Sequence, residues 1–308
     1  MILTLLALAC TAEGPVDEDE PLDLRVEYPA PSEGGLQFAP ADIVVPGYSD
    51  QSTCWVTTYE GPTIGVTAGQ FLQNPDYGHH AVIMVSNTDD DDFPDGYVWD
   101  CTDSEDLGME NLDPLLFADN LQIGSQTVEF PEGMATKLKS GSRILVQSHY
   151  INPLPDSILV NDVINLEVVP EVEVETWAAP WVHTDVDFDL GPGEQSVEVT
   201  CTFEQDINLL SIFGHMHEWG TEVTIDHHKL DGSTERIYEV GDWEILFRDQ
   251  PPRTGFEPGE FMVQAGESFT TTCNWYNDTD HNLSFPEEMC VGVGMAYPTV
   301  VALICEPD

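Results

Sequence analysis

The chain is 308 residues long, room for two domains of ordinary size, each with its own core. Its 57 acidic against 8 basic residues give a formal net charge of −49, which excludes a phosphate-neutralising surface and with it nucleic acid as a partner. At 41% hydrophobic and 9% aromatic it is too apolar for a disordered chain, so an acidic shell over a normal core is expected, compatible with life at high salt.

The chain opens with "MILTLLALAC", a short apolar run ending in small residues and a cysteine. Residues 1–10 resemble a bacterial lipoprotein signal with Cys10 as the lipidated residue, although the usual basic n-region is missing. An ordinary secretory signal would change the anchor but not the compartment. An exported bacterial protein anchored to a membrane only through its lipid, in the periplasm or at the cell surface, is therefore expected. No other apolar run approaches the roughly 18 residues of a membrane span. Residues 11–40, rich in Pro, Glu, Asp and Gly, read as a flexible acidic tether.

Beyond the tether come short β-rich runs punctuated by Gly, Pro, Asp and Asn: "ADIVVPG", "CWVTTYE", "HAVIMVS", "RILVQSHY", "INLEVVP", "QSVEVTC", "GTEVTIDHH", "RIYEVGDWEILF" and "SFTTTCNWY". Such strands, with turns like "LDGS", indicate an all-β, antiparallel protein. Only "NLDPLLFADN" reads as a short helix. The halves meet near "EVVPEVEVETW", dividing the chain into 41–170 and 171–308. Of the 7 cysteines, Cys10 belongs to the signal and none of the rest is spaced as CxxC. Six cysteines allow 15 pairings. If each half folds alone, Cys54–Cys101 is forced, and three arrangements remain for Cys201, Cys273, Cys290 and Cys305.

Three histidine sites stand out. In "YGHHAVIMV", His79 and His80 are adjacent, so they face opposite ways on a regular strand and share a ligand only at a bend, for which Gly78 is placed. In "RILVQSHYINP", His149 shares a face with Leu145 and Gln147. In "SIFGHMHEWG", His215 and His217 share a face with Phe213 and Trp219, while Gly214, Met216 and Glu218 lie opposite. A lone histidine on a strand is usually hydrogen-bonded or solvated; His227 and His228 beside the "LDGS" turn read as solvated, and His183 and His281, in acidic, turn-like surroundings, are given no role. Two imidazoles on one half-buried face suit zinc, copper, iron or nickel, and a thioether from Met289 or Met295 would favour copper, because soft sulfur stabilises the reduced ion. By composition alone a methionine in such a segment is more often core packing than a ligand.

The ordered series "GHHAVIM", "LVQSHY", "GHMHEWG" and "EEMCVGVGMAYP" resembles the copper type II, ascorbate-dependent monooxygenases, the family of the peptidylglycine and dopamine hydroxylating enzymes. The similarity runs from about Ala41 to Cys305. It implies two tandem jelly-roll-like antiparallel β-sandwich domains and two copper ions per chain. The first ion would be held by His79, His80 and His149 and would relay electrons from ascorbate or another one-electron donor, with Gln147 beside it. The second would be held by His215, His217 and Met289, where dioxygen and a substrate C–H bond react. It also implies the pairs Cys54–Cys101, Cys201–Cys305 and Cys273–Cys290. Met289 rather than Met295 falls on the family's thioether position, in the triplet Glu288-Met289-Cys290.

The departures bear on substrate. Two further first-domain disulfides of the peptidylglycine branch have no counterpart, and the residues with which it grips a carboxylate are replaced by Phe213, Val291 and Val293. A neutral or apolar small molecule is the expected substrate, with dioxygen as co-substrate and the protein a monomer. Glu218 keeps a cationic amine in play. The rival expectation is a non-catalytic copper lipoprotein that stores, delivers or senses the metal; a third is a surface-binding β-sandwich module without chemistry.

Overall fold

The computed structural model describes residues 20–86, 93–102, 112–120, 127–185, 187–248, 251–285 and 287–305; the side chains of His80, Val82, Ser86 and residues 112–120, 127 and 128 fall outside that description, as does Cys10 with the signal. The strands of the first half are β1 (Leu22–Asp23), β2 (Leu36–Phe38), β3 (Ile43–Val45), β4 (Ser49–Thr58), β5 (Ile64–Leu72), β6 (Gly78–Ser86), β7 (Val98–Asp100), β8 (Leu112–Asn120), β9 (Thr127–Glu129), β10 (Met134–Leu138), β11 (Arg143–Asn152), β12 (Ile158–Val160), β13 (Val163–Pro170) and β14 (Thr176–Trp177). Those of the second are β15 (Ala179–Asp185), β16 (Gly193–Thr202), β17 (Ile207–His215), β18 (Gly220–His228), β19 (Thr234–Gly241), β20 (Thr254–Gly255), β21 (Met262–Val263), β22 (Ser268–Asn277), β23 (Cys290–Tyr297) and β24 (Leu303–Cys305).

They form two tandem jelly-roll-like β-sandwiches, antiparallel apart from short parallel pairings at β1, β14 and β24. In the first, a five-stranded sheet ordered β7-β4-β11-β6-β8 faces a six-stranded sheet containing β14-β10-β5-β13-β2. Alternation explains the packing: Ile144 and Val146 of β11 point inward with Ile83, Val66, Phe71 and Leu166, while Leu145, Gln147 and His149 point out the other side. A small sheet, β1-β12-β3, packs Ile43, Val45, Ile158 and Val160 around Tyr150 at the far end of β11. In the second sandwich, the sheet β20-β17-β23-β15-β24 packs on β16-β22-β18-β19 over Trp181, Ile212, Val223, Ile225, Phe269 and Trp275. Full burial of such side chains is worth about 1.5–3 kcal/mol each, which is how an acidic chain sustains two cores.

The disulfides pair as the resemblance implies: Cys54–Cys101, Cys201–Cys305 and Cys273–Cys290, with Cα atoms 5.7, 6.0 and 5.7 Å apart. Each lies within one sandwich. The "LDGS" turn also stands where expected, joining β18 to β19 with Gly232 at φ +85°.

Three expectations need correction. "NLDPLLFADN" is the strand β8, because its residues complete the open edge of β6, and an edge strand with an irregular register tolerates Pro114. The last part of the supposed tether is built into the first sandwich: β1 pairs β12, β2 pairs β13, and the Arg25 guanidinium bonds Asp23 and Asp42. The crossing between halves falls just beyond 170, since β14 still pairs β10 and only β15 belongs to the second set. Among the described residues no helix is long and apolar enough to cross a membrane.

Candidate metal centres

On β6 the pairing with β11 shifts: His149 faces His80, but Tyr150 faces Gly78, so His79 is the extra residue of a β-bulge. A Cβ at Gly78 would stand 2.6 Å from Gln73 Cβ and 2.8 Å from Asn74 O, so only glycine fits at the bend. The bulge turns His79 toward β11. Its Nδ1 lies 3.1 Å from His149 Nδ1, with ring centroids 4.8 Å apart and near-perpendicular planes, and both side chains are buried. That separation suits a hydrogen bond between a protonated and a bare imidazole nitrogen. It equally suits two nitrogens each about 2.0 Å from one metal ion at a near-right angle, which stand about 3 Å apart. His80 pairs with His149 through its backbone; its side chain lies outside the described residues. Gln147 is half-buried one step along the same face, opposite Cys54.

Behind His149 stands a residue with no sequence signal, Asp50, brought there only because β4 lies beside β11. Its Oδ1 accepts a hydrogen bond from His149 Nε2. This bond, with the charges of His149, Arg248 and His79 adding to it, holds the Asp50 carboxyl below the usual range. With Nε2 held by the carboxylate, the ring presents Nδ1 to His79, the orientation of a metal-bound histidine.

On β17 the parity reading holds: Ile212, Gly214 and Met216 are buried, and Phe213, His215 and His217 are half-exposed on the other face. Gly214 permits this, since a Cβ there would stand 2.5 Å from Val223 Cγ2. The His215 and His217 rings lie 5.1 Å apart at 82°. The antiparallel register pairs Phe213 with Val293 and His215 with Val291. Continued by one same-face step past both strand ends, it sets Met289 beside His217. The segment does lie there: His217 Nδ1 is 3.1 Å from Glu287 O. Met295 shares the face but pairs with Ser211, four residues from the His215 row, or about 13 Å along the strand.

The corner is tied together by Glu288, a residue of the "EEMC" run with no role expected from the sequence. Fully buried, its carboxylate accepts from the backbone N–H of His217 (2.9 Å), Trp219 (2.8 Å) and Met289 (3.2 Å) and from Trp275 Nε1 (2.8 Å). Burial pushes its pKa up against these bonds. Trp243 Nε1 donates to His217 O at 3.0 Å, holding the turn from its other side.

Beside the histidines the expected pocket residues line up, Val291 and Val293 nearly buried and Phe213 half-buried. The patch is not wholly apolar: Arg253, exposed, places its guanidinium carbon 4.6 Å from the Phe213 ring centroid. Glu218, which kept a cationic amine in play, is ion-paired with Arg248. Both features disfavour a cation here.

The remaining histidines differ partly from expectation. His227 is buried, not solvated, with Nε2 2.8 Å from Glu267 Oε2, because β18 is an inner strand flanked by β19 and β22. His228 bonds Thr234 and Thr270 hydroxyls. His183 is not on an acidic turn but inside β15, against Trp181 and Phe269, and burial lowers its pKa to about 3. His281 is exposed, 3.3 Å from Glu287.

Among the described residues no group of three or more His, Cys, Asp or Glu side chains could hold a metal ion. The donors in view are two imidazoles backed by a carboxylate in the first sandwich, and in the second two imidazoles with the backbone of the Met289 segment alongside. Both imidazole pairs fit copper by donor type, and a thioether joining the second would fit it better than a hard cation.

Fold and donors together define a two-sandwich all-β protein with a histidine corner in each half. No family model matches the chain, and no curated protein does. Solved structures it is similar to include naturally empty particles of cowpea mosaic virus, at 9% identity over 94% of this chain and 98% of that one, with a TM-score of 0.37. The major capsid protein P2 of bacteriophage PM2 is 8% identical over 85% and 97%, with a TM-score of 0.31. The PBSX exported protein XepA is 7% identical over 81% and 89%, with a TM-score of 0.24. Likenesses this weak carry no argument about this chain.

Proposed function

We propose that the chain is an exported, lipid-anchored copper monooxygenase that hydroxylates a C–H bond of a neutral or apolar small molecule, using dioxygen and a one-electron donor such as ascorbate. Bound copper would supply one-electron redox chemistry and dioxygen activation, which no side chain of the protein provides. His79, His80 and His149 would hold one ion, and His215, His217 and Met289 the other. Asp50 orients His149 by accepting from Nε2–H, which turns Nδ1 toward His79. Phe213, Val291 and Val293 offer an apolar surface that excludes water beside His215, with Arg253 at its edge. Three disulfides suit an oxidising compartment outside the cytoplasm.

What supports this reading is a histidine corner in each sandwich with unlike surroundings: His79 and His149 backed by Asp50 in one, His215 and His217 with the Met289 segment alongside in the other. A protein that only stored or delivered copper would need no such asymmetry. The test is dioxygen uptake by the copper-loaded protein with ascorbate, screened across small apolar metabolites. Uptake coupled to hydroxylated product supports a monooxygenase; full copper loading without any ascorbate-dependent uptake supports the storage alternative instead.

A further inference from the structure

We propose that Glu288 is the positioning residue of the second centre: its buried carboxylate sets the spacing between His217 and Met289 by holding the backbone of both. This rests on the reading of His215, His217 and Met289 as a metal site, but the argument comes from hydrogen bonds alone. β17 ends at His215 and β23 begins at Cys290, so the ladder between them stops at His215–Val291, one same-face step short of His217 and Met289. Their amide N–H groups converge instead on one oxygen, Glu288 Oε2, at 2.9 and 3.2 Å. The same oxygen takes Trp275 Nε1 at 2.8 Å, and Oε1 takes the Trp219 amide at 2.8 Å.

All these donors are neutral N–H groups, and the side chain is 0% exposed. A core needing only volume there would use an apolar residue, since a buried carboxylate is costly unless each oxygen is satisfied. The carboxylate is retained because a side chain with only acceptor atoms can gather N–H groups from three segments: the His217 turn, the Met289 arm and the Trp275 strand. The disulfide Cys273–Cys290 anchors the arm on its far side. Glutamine at 288 could keep its carbonyl oxygen at the Oε2 place and set its NH2 against the Trp219 amide alone, whereas leucine offers no acceptor and would let the His217 and Met289 segments separate.

The test uses the full mature chain loaded with copper and reduced, in competition with a chromophoric Cu(I) chelator. E288L should keep its three disulfides and its first-centre copper while losing about 10- to 100-fold in Cu(I) affinity at the second centre. X-ray absorption should show its Cu–S component weakened or gone, and E288Q, which keeps one acceptor oxygen, should fall between E288L and wild type. A role in stability alone would leave the Cu–S signal intact in whatever E288L protein is folded. Wild-type affinity and an unchanged Cu–S component in E288L would overturn the proposal and leave the metal-site reading standing. Absence of second-centre copper in the wild type would overturn both. Should E288L not fold, amide hydrogen exchange in the wild type decides: protection at His217, Trp219 and Met289 like that of ladder amides is expected, and exchange at the rate of exposed loops would refute the positioning role.

Discussion

Replacing Asp162 with Asn should remove a pH dependence of stability from the first sandwich. Asp162 is buried behind β11, where it accepts from the Tyr150 hydroxyl, from Ser148 and from Gln73 Nε2 at 3.4 Å. Burial pushes its pKa from 3.8 up to about 6 despite those bonds. The folded state therefore binds this proton more tightly than the unfolded chain. The stabilisation is complete below the unfolded value and is lost as pH rises through the folded one. A shift of ~2 units at ~1.4 kcal/mol each makes the loss ~3 kcal/mol. Asn is neutral throughout, and its amide can donate to Gln73 Oε1, a buried atom without a hydrogen-bond partner. Urea unfolding of wild type and D162N at constant ionic strength, from about pH 4 to about pH 8, reads the difference directly. D162N should gain on the wild type by up to ~3 kcal/mol across that range. A gap that does not change with pH, or that narrows as pH rises, would refute the reasoning.

His183 should act with the opposite slope. Its pKa is lowered from 6.5 to about 3 by burial, so the stability it leaves intact above the unfolded value is lost as pH falls below it. H183F should flatten the acid limb of a thermal-stability profile, and an unchanged limb counts against the burial argument. At the first centre, D50A should weaken metal binding by about 10- to 100-fold in a chelator competition, because His149 loses the acceptor that orients it. Equal affinity would mean His149 is oriented by packing alone. At the second centre, M289I should remove the Cu–S scattering component of the reduced protein, whereas M295I, on the Ser211 row, should keep it. The reverse outcome would show that the register does not continue past the strand ends.

Periodicity carried the parts of this structure that depend on local pattern. Alternation along "SIFGHMHEWG" set Gly214, Met216 and Glu218 against Phe213, His215, His217 and Trp219; the split is observed as far as His217 and is lost at Glu218, which is half-exposed in the turn beyond the strand. Gly78 marked the bend that lets His79 reach His149. What stayed illegible depends on partners distant in sequence. Asp50 meets His149 only across the β4–β11 ladder, and His227 is buried because Phe269 and Glu267 close over it. "NLDPLLFADN" looks helical in isolation and becomes a strand because β6 offers it an edge. Glu288 stood in plain view within "EEMC", but its role needs three segments to meet.

The account stands or falls on metal content. Copper analysis of the reconstituted mature protein, beside a variant with His79 and His80 both changed to Ala, should find about two ions per chain in the wild type and about one in the variant, each bound by imidazole donors. A single ion in the wild type, or zinc at full occupancy after copper reconstitution, would contradict it.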